Sequence, residues 1–324
     1  MLRAALAAVC LAASGAASAG VLDVGAFGAA PSASAAENCS GINRALAAST
    51  GNTVYFGKPG TYRVNCSLNL ATHSTLTAAP GAILRQVERN TPLLVGNRVT
   101  DVIIDGLDLA GFGAKDSAST RTADYNTDLA NARGIYFLAS ARIIVKDSRI
   151  SDFRNYAIAA EKTSDLLIAN NRISGTAPEA GLPPGDAARQ QMGIAILSNT
   201  SAEVAGADRI RILDNVISST AHGIWVGAGY GDVHISGNRI SEVTEHGIYA
   251  NGYSGLNVSG NVIASGLGGV KVTVNPVTTS TPSNVAIVGN EISGDPGNTW
   301  AILVGDICVG GPRRGRMPET VRFK

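Results

Sequence analysis

His222 and His246 each open a segment of the same form, HGIWV (222–226) and HGIYA (246–250). A third segment, GGVKV (268–272), keeps the frame and places Lys271 where the others have Trp225 and Tyr249. Histidine is the side chain best suited to proton transfer near neutral pH. Aromatic rings offer amphipathic faces to sugars, and lysine neutralises a carboxylate or takes a proton. This combination points to a carbohydrate floor carrying acid–base groups. Arg133 opens an equivalent segment, RGIYF (133–137), and its guanidinium fits a uronate carboxylate bidentately. We therefore take His222, His246, Tyr249, Lys271 and Arg133 as catalytic candidates, and Trp225 and Tyr136 as substrate-binding ones. The plainer alternative is a surface ladder, because aromatic residues are favoured on strands.

These segments must be held by a repeating scaffold. YAIAA (156–160), MGIAI (192–196) and WAILV (300–304) share their frame. Side chains alternate along a strand. Ile135, Ile158, Ile194, Ile224, Ile248, Val270 and Ile302 should stack inside. Tyr136, Ala159, Ala195, Trp225, Tyr249, Lys271 and Leu303 should point out, as should Arg133, Met192, His222, His246 and Gly268. A second set of stretches runs through the same region: VIIDGLDLAG, IIVKDSRIS, LLIANNRIS, IRILDNVIS, VHISGNRIS, LNVSGNVIA and VAIVGNEIS. The last five align on Asn171, Asn215, Asn238, Asn261 and Asn290, with a base period of about 23 residues. A strand–turn unit at a fixed period is the mark of a solenoid. With two or three short strands and no helix per unit, this one is an all-β, single-stranded parallel β-helix. The asparagines read as a structural ladder whose amides bond along the stack.

Extra residues enter some coils at fixed places. The insertions 111–132 and 175–191 precede the Gly-Ile strand, so stacking should place both on one side of the floor. Those at 198–208 and 275–284 follow that strand and should form the opposite rim. Long loops on a rigid scaffold are where function usually sits. Asp124, Asp128, Asp186 and Arg189 lie in the first pair of loops; Asp124, Asp186 and Arg189 are retained as substrate-binding candidates.

The composition suits this scaffold. Hydrophobic residues make up 45% of the 324 and charged residues 16%, with 38 glycines for tight turns. The net charge of +1 gives no reason to expect a nucleic-acid partner. Arg313, Arg314, Arg316, Arg322 and Lys324 gather at the C-terminus, leaving the body mildly acidic. Residues 1–19 read as a secretory signal: Arg3, an apolar run, then Ala17-Ser18-Ala19. No later apolar run is long enough to span a bilayer. Export to the periplasm or medium favours disulfides. Cys39–Cys66 is the natural pair, with Cys308 left over; three buried thiols are the alternative.

The N-terminal part differs from the repeats. Residues 37–49 (ENCSGINRALAAS) read as an amphipathic helix with Ile42 and Leu46 on one face. A solenoid must seal its apolar end with an atypical unit, and this helix can serve. DVGAFGA (23–29), the Ala-rich helix, NTVYFGKPGTYRV (52–64) and STLTAAPGAIL (74–84) together resemble the N-terminal segment of the pectate-lyase superfamily. The resemblance covers roughly residues 21–85. It implies a right-handed parallel β-helix acting on, or attached to, polysaccharide. The chain departs from that pattern at Pro31–Glu37 (PSASAAE), which lacks the usual aspartates. Beyond this segment, Asn126-Thr127-Asp128 and Ala221-His222-Gly223 partly match polygalacturonase motifs. Asn155-Tyr156 stands where those enzymes carry paired aspartates, and inverting hydrolysis needs such carboxylates. The epimerases' Asp-Pro-His signature is absent.

No Cys/His zinc spacing, phosphate loop or Gly-x-Ser-x-Gly elbow occurs. A calcium cluster needs converging carboxylates; Asp147, Asp152 and Glu161 form no obvious cage. No metal site is assigned, and calcium remains a cofactor candidate without a site. The division expected is a signal at 1–19, capping and opening coils at 20–99, β-helix coils at 100–309 and a basic, disordered tail at 310–324. The function expected is action on an acidic polysaccharide by uronate β-elimination. The alternative is a non-catalytic carbohydrate-binding or surface-structural β-helix, with polygalacturonase-type hydrolysis behind both. Oligomeric state is left unassigned.

Overall fold

The computed structural model describes residues 20–88, 90–112, 131–175, 192–197, 208–227, 230–251, 254–273, 283–294 and 300–305. The chain winds so that each full coil gives one strand to each of three parallel sheets, of ten, nine and nine strands. Every strand inside a sheet pairs with its equivalents in the coils before and after, as in Ile143↔Leu166, Leu166↔Ile210 and Ile210↔Val233. Parallel connections within a sheet are right-handed in about 98% of cases. The whole is a right-handed parallel β-helix with one helix at its N-terminal end.

The turn between the first and second sheets explains the aligned asparagines. Asp147, Asn170 and Asp214 take positive φ at this turn, and Gly237, Gly260 and Gly289 do so in later coils. Asp, Asn and Gly are the residues that visit this region at least cost. From Asn170 onward the next residue is an asparagine that points its amide into the stack. Asn171 Nδ2 donates to Asn215 Oδ1 at 3.0 Å, Asn215 to Asn238 at 3.0 Å, Asn238 to Asn261 at 2.9 Å and Asn261 to Asn290 at 2.8 Å. Each amide also donates to a backbone carbonyl, and each Oδ1 also accepts a backbone N–H, as Asn238 Oδ1 does from Asn215. Two places later Ile173, Ile217, Ile240 and Ile263 stack in the core, 1% exposed or less.

The helix spans Ala35–Ala47, slightly earlier than the 37–49 expected. Ser34 and Glu37 form a reciprocal capping box that starts it. Ile42 and Leu46 are fully buried against the first coils. Cys39 and Cys66 form a disulfide, Cα–Cα 6.0 Å, tying the helix to the coil it covers. Cys308, residues 1–19, expected to be a signal, and residues 310–324, expected to be a tail, lie outside the described residues, as does most of each insertion.

Candidate functional site

The frame-sharing segments form the third sheet: Arg133–Leu138, Tyr156–Glu161, Met192–Leu197, His222–Val226, His246–Asn251, Gly268–Thr273 and Trp300–Gly305. Ala195, Trp225, Tyr249, Lys271 and Leu303 are register partners in turn, as the frame requires. Gly223 and Gly247 follow the histidines for a steric reason. A Cβ on Gly223 would come 2.6 Å from Ile240 Cγ2 and 2.6 Å from the Gly247 carbonyl; one on Gly247 would come 2.2 Å from Ile263 Cγ2. The backbone closes onto the core there, and each histidine stands just before that approach.

The two imidazoles stack, ring centroids 5.2 Å apart and 20° from parallel. Tyr249 lies against both, 5.4 Å from His246 and 6.0 Å from His222. Lys271 Nζ sits 4.9 Å from the Tyr249 ring centroid. Trp225 is half-buried beside Tyr249. Two expectations of exposure need correcting. His222 and His246 are only 7% and 9% exposed, and Ala159 and Ala195 are fully buried. The strip is sunk among its neighbours rather than standing proud of the sheet.

One member escaped the sequence reading. Glu245 precedes His246, and its backbone is fixed by Glu245 N–H to the Ala221 carbonyl and by Leu267 and Gly268 N–H to its own carbonyl. Its carboxylate lies 3.0 Å from His222 Nε2 and 3.9 Å from His246 Nδ1. The hydrogen bond from His222 is the main reason its carboxyl is held below the usual range, against the opposing effect of burial. Burial pushes His246 down to about 4, assisted by His222 and Lys271 and opposed by Glu245. At neutral pH Glu245 is therefore ionised and His246 neutral. The signal was present: a Glu-His pair stands where the previous coil has Ala-His.

Arg133 is not part of this cluster. Counting coils through Tyr156, Met192 and His222, it is four strands from His246, about 19 Å at the usual strand spacing. Its guanidinium lies 4.2 Å over the Tyr136 ring and 5.5 Å from that of Tyr156. Tyr136 donates to Glu161 at 2.9 Å. Burial, then that carboxylate, raises the Tyr136 hydroxyl's pKa. The floor thus holds two groups: Arg133, Tyr136, Tyr156 and Glu161 at one end, His222, Trp225, Glu245, His246, Tyr249 and Lys271 towards the other. Asp124, Asp128, Asp186 and Arg189 lie outside the described residues.

Residues 50–204 match a protein-family model described as a right-handed beta helix region. Residues 185–304 match one described as periplasmic copper-binding protein (NosD). A comparison with curated proteins gave no match. Among solved structures, the surface adhesin PfbA of Streptococcus pneumoniae is 13% identical, with TM-score 0.58 over 88% of this chain and 97% of that one. DFA-IIIase from Arthrobacter chlorophenolicus A6 is 14% identical, TM-score 0.57, over 89% and 75%. ORF18 of Geobacillus virus E2 is 14% identical, TM-score 0.54, over 88% and 60%. None of these descriptions names a pectate lyase. What they share with this chain is its architecture, the right-handed parallel β-helix.

Proposed function

We propose that the chain works outside the cytoplasm on an acidic polysaccharide, cleaving it by β-elimination at a uronate. The observation that carries this reading is the convergence of Lys271, Tyr249 and the sunken His222–Glu245–His246 cluster on one strip of the third sheet. Lys271 as the free amine takes the proton from C5 of the uronate. The electrons of that C–H bond form the C4–C5 double bond, and the C4–O bond breaks. The departing oxygen takes its proton from the Tyr249 hydroxyl. Trp225 offers a stacking face to a neighbouring sugar. Arg133 and Tyr136, several coils away, bind a more distant part of the chain rather than the reacting uronate. Work outside the cytoplasm is supported by the signal-like residues 1–19, by the Cys39–Cys66 disulfide and by the periplasmic description of the model that residues 185–304 match. That model's description also names copper. His222, Glu245 and His246 fall within the match, and two imidazoles with a carboxylate suit such an ion; no step above passes through it.

The test is incubation of the mature protein with pectate, alginate and glycosaminoglycans. New ultraviolet absorbance from an unsaturated uronate supports the reading. Binding without product overturns it and favours a non-catalytic surface protein; PfbA, which shares the fold, is described as a surface adhesin.

A further inference from the structure

We propose that His222, Glu245 and His246 form a binding site for one divalent transition-metal ion. The inference goes beyond the polysaccharide reading and does not depend on it. Among the described residues these three form a group of potential ligands, with one donor atom from each lying within 4.8 Å of the others. Metal–nitrogen and metal–oxygen distances of about 2.0–2.2 Å put tetrahedral donors roughly 3.3–3.6 Å apart. The observed 3.0 Å from Glu245 to His222 and 3.9 Å from Glu245 to His246 bracket that spacing. Small side-chain rotations close the site around an ion.

The surroundings fit a ligand. His222 is 7% exposed, and its Nδ1 is buried with no hydrogen-bond partner among the described residues. Nε2, the nitrogen turned to Glu245, is the one the ion takes, and Nδ1 then carries the proton of the ring. Two imidazoles and one carboxylate select borderline ions over calcium or magnesium, which prefer all-oxygen shells. The donor order for first-row ions makes copper(II) the tightest and zinc(II) close behind. Three protein donors leave a coordination position open to water or to a substrate oxygen, the arrangement of reactive rather than purely structural sites. Lys271 lies beside the site, and its charge, when protonated, works against the ion.

The experiment uses the mature full chain, stripped with chelator and titrated with copper(II) and with zinc(II) by calorimetry. Electron paramagnetic resonance follows the copper. One equivalent should bind, with nitrogen hyperfine splitting from two imidazoles. Glu245→Gln should weaken binding about 10–100-fold, and His222→Ala/His246→Ala should abolish the site. The chain has only two other histidines, His73 and His234, and His73→Gln/His234→Gln should leave the equivalent in place. Lys271→Ala should bind at least as tightly while losing any turnover, which separates this inference from the polysaccharide reading. If histidine variants fail to fold, the wild-type chain still decides: cobalt(II) must broaden the His222 and His246 ring resonances before those of His73 and His234. Absence of binding, or an equivalent that survives loss of both site histidines, overturns the proposal.

Discussion

Lys271 and Tyr249 face the same strip from neighbouring coils, 4.9 Å from amine to ring centre, while the histidines beneath them are nearly buried. This division of exposure sets what each substitution should do. Lys271→Ala and Tyr249→Phe remove proton-transfer groups that contribute little to the core. We predict a fall in kcat of about 10²–10⁴-fold with a melting temperature close to wild type, read by product absorbance and calorimetry. Trp225→Ala should instead raise KM, because a stacking face is lost while the proton-transfer groups remain. Tyr136→Ala should weaken long chains more than short oligomers, because Tyr136 is three strands from Trp225 in the register of the sheet. Equal kinetics in all four variants would place the site elsewhere.

At the level of the element, the stack of asparagines is the most regular feature. Replacing Asn238 by Leu removes its donations to Asn261 and to the Ile212 carbonyl, and leaves the Asn215 backbone N–H without its acceptor. Each buried group left unpaired costs about 1–3 kcal/mol. The expected outcome is a melting temperature several degrees lower with metal and polysaccharide binding intact; an unchanged melting temperature would sink the structural reading of the ladder. The outer face of the first sheet carries a different ladder, of ion pairs. Arg142 binds Asp101 bidentately at 2.6 and 2.7 Å, and His73 lies 3.2 Å away. Arg209 pairs with Asp165, and Arg211 with Asp232 at 2.9 Å. The hydrogen bonds from Arg142 hold Asp101 at about 2, below its ordinary 3.8. A depressed carboxyl stabilises the fold above its unfolded pKa and loses that contribution as pH falls through the folded one. The melting temperature should therefore drop between about pH 4 and 2, by a small, salt-sensitive amount because the pair is exposed. Arg142→Gln should flatten that segment of the profile.

For the whole molecule, the question is how an elongated stack ends. Each coil buries its apolar face only against its neighbours, so the first coil must be sealed by something that is not a coil. The helix Ala35–Ala47 does this with Ile42, Ala45 and Leu46, all fully buried, and the Cys39–Cys66 disulfide holds it in place. Leu46→Asp should expose that face and the strand edges beneath it. Light scattering should then report aggregation at concentrations where the wild type stays dispersed; a monodisperse variant of equal stability would show that the seal lies elsewhere.

The repeat, the inward isoleucines, the asparagine ladder, the sealing helix and the placing of Trp225, Tyr249 and Lys271 on one row were all legible in the amino-acid order. Stacking is one-dimensional: once a period is visible, equivalent positions in successive coils must meet. What the order of residues left open depends on distances across that stack. Arg133 shares the frame of the histidines, yet sharing a frame says nothing of how many strands intervene, and those strands part it from the cluster. Ala159 and Ala195 alternate outward and are still buried, because burial depends on what lies over a strand. Glu245 stands at a turn outside the strand frame. Only the backbone path around Gly247 and the hydrogen bonds of the Glu245 peptide bring its carboxylate between two imidazoles. That juxtaposition, on which the metal proposal rests, belongs to the tertiary structure alone.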